Sequence, residues 1–443
     1  MQVKIYSEPI IRLNIYLING GELIKSLKRK LGLLEVTVSG IGIILGAGIY
    51  ALLGEAAPLS GNALWLSFVI ASTVAAFTAL SYAELSSMFP SSAAEYEYVK
   101  NAMGKKIGFI IGWIIIFSAI ISSSTVALGF GNYLGVIFNI PPLYSAIALI
   151  LILSLILFIG IRESAWVAIL FTSIEALGLL IIFFIGIPYY GNVNYLEMPL
   201  GLNGVFASAA LIFFAYLGFE EIVKLSDETV DASKNIPKAV ILAMIISTVL
   251  YILVAFSSVS ILGWQYLANS PAPFSQIASV ALGPNGALLL SIIALFATSN
   301  TVLLLLLAGS RIVYGMSASN SLPLILKKVH PRTRTPWVSI IVVGIIAILF
   351  LFLGNLQFLA SATNYALFLS FIFINAAVIV LRYKSPDFKR AFKIPLNIKR
   401  LPLIPVFGLT TCILLLFQLS FDAIALGIVI TAIGIVLAFI WQK

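Results

Sequence analysis

About twelve apolar runs dominate the sequence, near residues 34–56, 61–82, 107–133, 142–160, 165–187, 203–223, 238–262, 285–314, 337–354, 358–381, 401–419 and 422–441. Each is close to the roughly 20 residues that a helix needs to cross the hydrocarbon of a bilayer. In hydrocarbon every backbone N–H and C=O must be bonded within the protein, so a run of this kind becomes a helix. The expected fold class is therefore an all-α integral membrane protein. Composition agrees: of 443 residues, 61% are hydrophobic and only 10% charged, against about a quarter charged in a soluble domain.

The charges fix an orientation. When the connections are numbered alternately, all 26 Lys and Arg residues fall on one side. They are Lys4, Arg12, Lys25, Lys28, Arg29 and Lys30 before the first run; Lys100, Lys105 and Lys106 in the 2–3 loop; and Arg162 in the 4–5 turn. The 6–7 loop holds Lys224, Lys234 and Lys238, and the 8–9 loop Arg311, Lys327, Lys328, Arg332 and Arg334. The 10–11 loop carries Arg382, Lys384, Lys389, Arg390, Lys393, Lys399 and Arg400, and the tail Lys443. The positive-inside rule places that side, with both termini, in the cytoplasm, and the expected location is the plasma membrane. An error of one span would scramble the pattern, so it also supports the count of twelve. The net charge of +9 is then a topology signal and not a nucleic-acid footprint, with contact to anionic headgroups a secondary effect.

Little else on the chain competes with this reading. No small-residue cleavage site follows the first 33 residues, so no signal peptide is expected. One cysteine, Cys412, leaves no internal disulfide, and one histidine, His330, argues against a histidine-based metal site. No cofactor is expected. The external connections are short, with Glu55, Glu197 and Asp422 among their few charges, and the stretch Gly263 to Pro284 is predicted to hold a short lid helix. A receptor would need a larger outer surface, a channel a filter loop or charged pore ring, and an enzyme a catalytic cluster.

Two spans read as discontinuous. Span 1 contains Gly40-Ile41-Gly42-Ile43-Ile44-Leu45-Gly46-Ala47-Gly48-Ile49-Tyr50, and span 6 contains Phe213-Phe214-Ala215-Tyr216-Leu217-Gly218-Phe219 followed by Glu220-Glu221. They open spans 1–5 and 6–10, and interrupted helices at matching places in two halves mark an inverted-repeat transporter. Close helix packing through small residues is the competing reading of the glycines. A broken helix leaves N–H groups and a positive dipole end near Gly46-Ala47-Gly48, which suit a carboxylate, and carbonyls near Phe213 to Leu217, which suit an ammonium. An α-amino acid carries both groups on one carbon. Glycine at 46 and 48 lets backbone approach the ligand closely, with Leu45 between the two half-helices, and Phe214 and Tyr216 are candidate gates over it. Ser122, in the hydroxyl cluster Ser122-Ser123-Ser124-Thr125 of span 3, is a candidate cavity wall; bonding to the preceding turn of its own helix is the alternative.

At these residues the chain resembles the amino acid–polyamine–organocation superfamily of permeases. The resemblance runs over nearly the whole chain: the span 1 glycine motif; Ser81-Tyr82-Ala83-Glu84-Leu85 with Phe89-Pro90; Phe213 to Gly218; Asn235-Ile236-Pro237-Lys238-Ala239; Ser310-Arg311 to Leu322-Pro323 with His330-Pro331-Arg332-Thr333-Arg334-Thr335-Pro336; and Arg382-Tyr383-Lys384 through Ile394-Pro395-Leu396. It implies a five-plus-five, leucine-transporter-like inverted repeat with two further helices, working by alternating access. The segments would be a cytoplasmic 1–33, a first repeat 34–187, a second repeat 203–382, and 401–443 with spans 11 and 12 and the tail. Carried over by position, the substrate contacts are Ile44, Ala47 and Gly48, with Phe214, Ala215 and Leu217. Relatives that take cationic amino acids often have an acidic residue in span 3 after a Gly-Trp pair. Here Gly112-Trp113 is followed by Ser118, which favours a neutral amino acid.

Proton-coupled relatives often carry a lysine in span 5 where this chain has Glu175. A charge deep in an apolar helix costs a few kcal/mol and marks a functional candidate. Three roles fit Glu175: carrying H⁺; helping to hold Na⁺ with Thr298, Ser299 and span 1 carbonyls; or bonding neighbouring helices in an exchanger. Proton-coupled transport is the first expectation. An exchanger, a Na⁺ symporter and a non-transporting amino acid sensor share the same sequence features.

Overall fold

Helix ends in the computed structural model, which describes residues 17–19, 22–24, 31–90, 94–160 and 165–441, fall where turn-forming residues interrupt the apolar runs. The N-terminal basic residues Lys4, Arg12, Lys25, Lys28, Arg29 and Lys30, with Arg162 and Lys443, lie outside the described residues. Helix α1 covers Leu33–Ile44 and α2 Gly48–Ser60, so span 1 is interrupted at residues 45–47. A single 3₁₀ turn at Gly61–Ala63 leads into α3, Leu64–Met88. Helix α4, Ala94–Met103, lies in the 2–3 connection before α5, Lys105–Phe138. Asn139, in the left-handed region at φ 55°, caps α5, as expected of an αL C-terminal residue.

Helices α6, Pro142–Ile159, and α7, Ala165–Gly186, complete the first half of the chain. Helix α8, Gly201–Ile212, gives way to 3₁₀ geometry at Phe213–Tyr216, and Gly218 then takes φ 122°. Helix α9, Ala232–Ala268, bends at Gly263, and α10, Pro273–Leu282, is a short helix within the Gly263–Pro284 connection. It is followed by α11, Pro284–Ala318, α12, Trp337–Phe350, and α13, Leu356–Lys384. The Asn355 side chain caps α13 by accepting from Phe358 N at 2.9 Å. Helices α14, Leu403–Leu416, and α15, Phe421–Trp441, end the chain. Two small hairpins stand outside the helices: β1, Leu17–Asn19, with β2, Glu22–Ile24; and β3, Asn397–Ile398, with β4, Leu401–Pro402.

Among the described residues, eight helical stretches are long and apolar enough to cross a membrane, the first of them Gly48–Met88, which joins α2 to α3. Shorter apolar helices at Leu33–Ile44, Gly201–Tyr216, Trp337–Phe350 and Leu403–Leu416 occupy parts of the expected spans 1, 6, 9 and 11. Two of these four are short because their spans are broken.

The polarity of the packing suits a bilayer. Leu151, Ile152 and Leu155 on α6, Ile245, Ile246 and Val249 on α9, and Val429, Val436 and Phe439 on α15 are exposed, an extent of apolar surface that a water-soluble monomer rarely shows. Hydroxyls and amides are inside. α3 packs along α9, and α5 along α11 and α13. Behind the span 6 interruption sits an aromatic cluster, in which Tyr216 lies 6.4 Å from Phe68 and 5.4 Å from Tyr251 between ring centroids. Where α3 ends, Glu84 is clasped by Arg382 of α13 through Nε at 2.7 Å and Nη2 at 2.6 Å, and by Arg390 Nε at 3.1 Å. The Ile394 N–H completes the carboxylate at 2.9 Å.

Candidate functional site

The two interrupted helices meet. A Cβ placed on Gly48 would lie 2.6 Å from Ala215 Cα, and one on Gly218 would lie 2.8 Å from Ile43 O. Only glycine lets these backbones touch, and Gly218 also needs its positive φ. The polar groups freed by the breaks are held by side chains from distant spans. Thr301 of α11 accepts the Ala47 N–H at 3.0 Å, and Tyr251 of α9 donates to Ile44 O at 2.5 Å. Asn364 of α13 donates to Ala210 O at 2.7 Å and Leu211 O at 2.9 Å, in the last turn of α8. Tyr133 donates to Tyr50 O at 2.9 Å. The first-turn amides of α2 have no acceptor within their own helix, and they start at Gly48, on the wall of a cavity.

That cavity has a volume of ≈ 500 Å³. Of the positions singled out in the sequence, Ile44, Gly46, Ala47, Gly48, Ser118, Ser122, Phe214, Ala215 and Leu217 line it. No charged side chain stands at residues 45–47 or 213–217, and the nearest carboxyl along span 6 is Glu220, which accepts the Gly218 N–H. Opposite them, Ile115, Ala119, Leu304, Leu305, Ala308 and Phe371 make an apolar wall. Ser370, buried on α13, also lines the cavity, and its hydroxyl has no partner among the described residues.

Other expected positions go elsewhere. Leu45 is buried at the break but is not on the cavity wall. Tyr216 is no gate in this structure: it is fully buried and its hydroxyl donates to Phe68 O at 3.1 Å. The span 3 hydroxyls turn mostly onto their own helix, Ser122 to Ser118 O at 2.7 Å and Thr125 to Ile121 O at 2.9 Å, while Ser124 also reaches Ala347 O of α12 at 2.8 Å.

Glu175 is buried on α7, beside the cavity but outside its lining. Its Oε1 accepts from Asn300 Nδ2 at 3.1 Å, and its Oε2 has no partner among the described residues. The contact from α11 thus comes from Asn300 and not from Thr298 or Ser299, whose hydroxyls each donate to their own helix at 2.7 Å, to Ala294 O and Leu295 O. Asn300 and Thr301 both line the cavity. Sequence reading passed over them, although a polar pair inside an apolar helix is the signal that had singled out Glu175.

The cavity runs from the breaks towards the end that carries the basic loops, where Glu95, Glu220, Glu221, Lys224, Glu228 and Arg311 line it. Lys224 Nζ sits 2.5 Å from Glu221 Oε1 and 3.8 Å from Glu95 Oε1, and Glu220 Oε2 accepts the Gly218 N–H at 2.9 Å. Burial pushes the Glu95 carboxyl up from its ordinary value, and Lys224 opposes the shift. Burial also opposes the Lys224 charge, but Glu221 and Glu95 outweigh it and hold the ammonium well above its ordinary range. Among the described residues, no ion pair joins this acidic run to the 8–9 loop. No cluster of His, Cys, Asp and Glu suited to a metal occurs among the described residues either.

At the opposite end side chains of α2, α10 and the connections between helices pack together. The Tyr50 ring stands edge-on to Phe274 of α10 at 4.8 Å. Glu197 accepts from Asn62 Nδ2 at 2.7 Å and Trp264 Nε1 at 2.8 Å, and Asn62 in turn accepts the Trp264 N–H at 3.0 Å.

The sequence matches the family model described as "Amino acid permease" over residues 31–440. It is 32% identical to the branched-chain amino acid permease BcaP of Bacillus subtilis (strain 168), covering 95% of this chain and 94% of that protein. It is 31% identical to the methylthioribose transporter of the same organism, with 95% and 94% covered. It is also 30% identical to the vacuolar cationic amino acid transporter 4 of Arabidopsis thaliana, over 82% of this chain and 64% of that protein.

Proposed function

The chain belongs to the amino acid permease family, whose members here are transporters and not enzymes, and on that premise we propose that it carries neutral amino acids with aliphatic side chains by alternating access. One observation carries the reading: the breaks of spans 1 and 6 touch at Gly48 and Ala215 on the wall of a single cavity. There the α2 N-terminus faces a carboxylate and the carbonyls following α8 face an ammonium. The class of side chain follows from the rest of the lining. Ile115, Ala119, Leu304, Leu305 and Ala308 are apolar, and the carboxyls of the lining, Glu95, Glu220, Glu221 and Glu228, stand at the basic-loop end, where Lys224 pairs with Glu221 and Glu95; a cationic side chain held among the apolar residues would be buried unpaired, which is costly. Similarity to a branched-chain amino acid permease points the same way.

In this proposal the helices make twelve crossings, arranged as repeats at 34–187 and 203–382 followed by two further spans. The termini and the basic loops lie in the cytoplasm of a cell whose plasma membrane holds the protein. The cavity then opens inward and the structure is an inward-facing state. Glu175 is the proton carrier: a lone carboxyl in a dry helix bundle is neutral when sealed and releases its proton when water reaches it. Na⁺ symport is the alternative: the hydroxyls of Thr298 and Ser299 donate to their own helix, which leaves their oxygen lone pairs able to bind a cation.

The test is uptake of labelled leucine, isoleucine and valine into proteoliposomes, with and without a pH or Na⁺ gradient. Expected are accumulation driven by an acid exterior, competition by neutral but not by cationic amino acids, and no requirement for Na⁺. Glu175→Gln is expected to abolish gradient-driven accumulation; unchanged accumulation removes Glu175 from the carrier role. Counterflow without net accumulation in the wild type makes the protein an exchanger, and binding without flux makes it a sensor. No uptake, exchange or binding of any of the twenty amino acids or common amines overturns the reading.

A further inference from the structure

We propose that Asn300 is the positioning residue through which occupation of the cavity reaches Glu175, so that substrate and proton are felt by one turn of α11. The inference rests on the proton-coupled transporter reading above and assigns a role to a residue that reading does not use.

Three observations carry it. Asn300 Nδ2 donates to Glu175 Oε1 at 3.1 Å, the one side-chain donor this carboxyl has among the described residues, while Oε2 is buried without a partner. Asn300 also lines the cavity, which Glu175 does not. The adjacent residue, Thr301, accepts the Ala47 N–H at 3.0 Å and so holds the end of the break that would receive a substrate carboxylate. Successive residues of α11 therefore touch the two groups whose states must be linked in a symporter.

The chemistry follows from satisfaction of buried polar groups. With Asn300 in place, a Glu175 carboxylate keeps one charge-assisted hydrogen bond. A ligand that draws the Asn300 amide into the cavity, or shifts the Thr301 turn, removes that donor. A carboxylate with two unpartnered oxygens in a dry site must then take up a proton or leave the site. Arrival of substrate and arrival of the proton are thereby coupled with the same sign, and by linkage each must favour the other equally. The groups facing Glu175 support a proton being the carried charge. Tyr50 of α2, whose hydroxyl donates to Glu175 O at 2.8 Å, and Tyr251 of α9 are the titratable side chains near it. Thr172, on the same α7, packs on Gly42 of α1. The sole charged residue of α11, Arg311, lies eleven positions on, and α10 has none. Among the described residues, no cation is placed to hold the carboxylate ionised.

Wild type, Asn300→Leu, Asn300→Ala and Asn300→Gln are reconstituted in proteoliposomes. Two quantities are read for labelled leucine: counterflow at equal pH on both sides, and accumulation as a function of external pH. Asn300→Leu, of the same branched shape but with no donor, is expected to lose roughly tenfold more of the pH-driven accumulation than of the counterflow, a size usual for coupling between sites. Its pH profile flattens, and Asn300→Gln, which keeps the donor, restores part of the slope. Asn300→Ala serves the same purpose should the leucine variant fail to fold. A donor-less variant with the wild-type pH profile overturns the inference, as does one that loses counterflow and accumulation in equal proportion, the signature of a merely structural residue. Absence of counterflow in the wild type instead overturns the transporter reading itself, so the two failures are distinguishable.

Discussion

Gly48 is where the site is most sensitive to a single atom. A methyl group there would stand 2.6 Å from Ala215 Cα and 3.2 Å from Ala215 N, and backbone cannot rotate away as a side chain can. At Gly46 the nearest atom, at 2.8 Å, is Thr301 Oγ1, which a change of rotamer can move. Gly48→Ala is therefore expected to cost about 1–3 kcal/mol, the usual penalty of overpacking, and to part the two breaks. The result is a lower melting temperature and a loss of leucine uptake of at least about tenfold, since 1.4 kcal/mol already corresponds to one decade. Gly46→Ala is expected to lose less of both, since only the Thr301 bond to the Ala47 N–H has to give. Uptake and melting temperature of the two purified variants, side by side, check this; equal effects at 46 and 48 would show that the contact with Ala215 has no special weight.

Individual helices show why their ends matter more here than in water. Each orphan N–H or C=O in hydrocarbon needs a partner, and three side chains from other spans, Thr301, Tyr251 and Asn364, supply them. These partners are 153 to 254 positions away in sequence from the groups they bond. Sequence reading could locate the breaks, because glycine density and the Phe213–Gly218 segment are local features. It could not locate the caps, because no local pattern says which polar residue in an apolar helix faces inward. The same blindness made Tyr216 look like a gate: its neighbours in sequence lie on the cavity, but its hydroxyl reaches Phe68 O. Glu84 was legible as part of a motif, though not as the centre of a clasp joining α3, α13 and the loop beyond α13. Arg382→Leu removes the bidentate partner of a buried carboxylate, which typically costs about 3–5 kcal/mol. The melting temperature in detergent should fall sharply. Glu84→Leu combined with Arg382→Leu should recover part of the loss, because the buried carboxylate is gone and Arg390, though it loses Glu84, keeps its bonds to Leu381 O and Ser385 O. A double variant no more stable than Arg382→Leu alone would place the clasp's importance in shape and not in charge.

The molecule as a whole is asymmetric about its breaks. On one side the cavity continues past Gly218 to Glu220, Lys224 and Arg311. On the other, Phe274 packs on Tyr50, and Asn62, Glu197 and Trp264 are tied together. Alternating access requires that a residue at the breaks be reachable from one side at a time. The chain offers a clean probe of this, because its single cysteine, Cys412, is fully buried against Thr78 and should not react. Ser118→Cys puts a thiol on the cavity wall. In the inward-facing state a membrane-impermeant thiol reagent should modify it from the face carrying the 6–7 and 8–9 loops and not from the other. Inside-out and right-side-out vesicles separate those faces. Saturating leucine should slow the modification by filling the cavity, whereas lysine at the same concentration should not. Modification from the opposite face alone would reverse the proposed orientation. Equal modification from both faces would mean that the Tyr50–Phe274 packing does not seal the outer end.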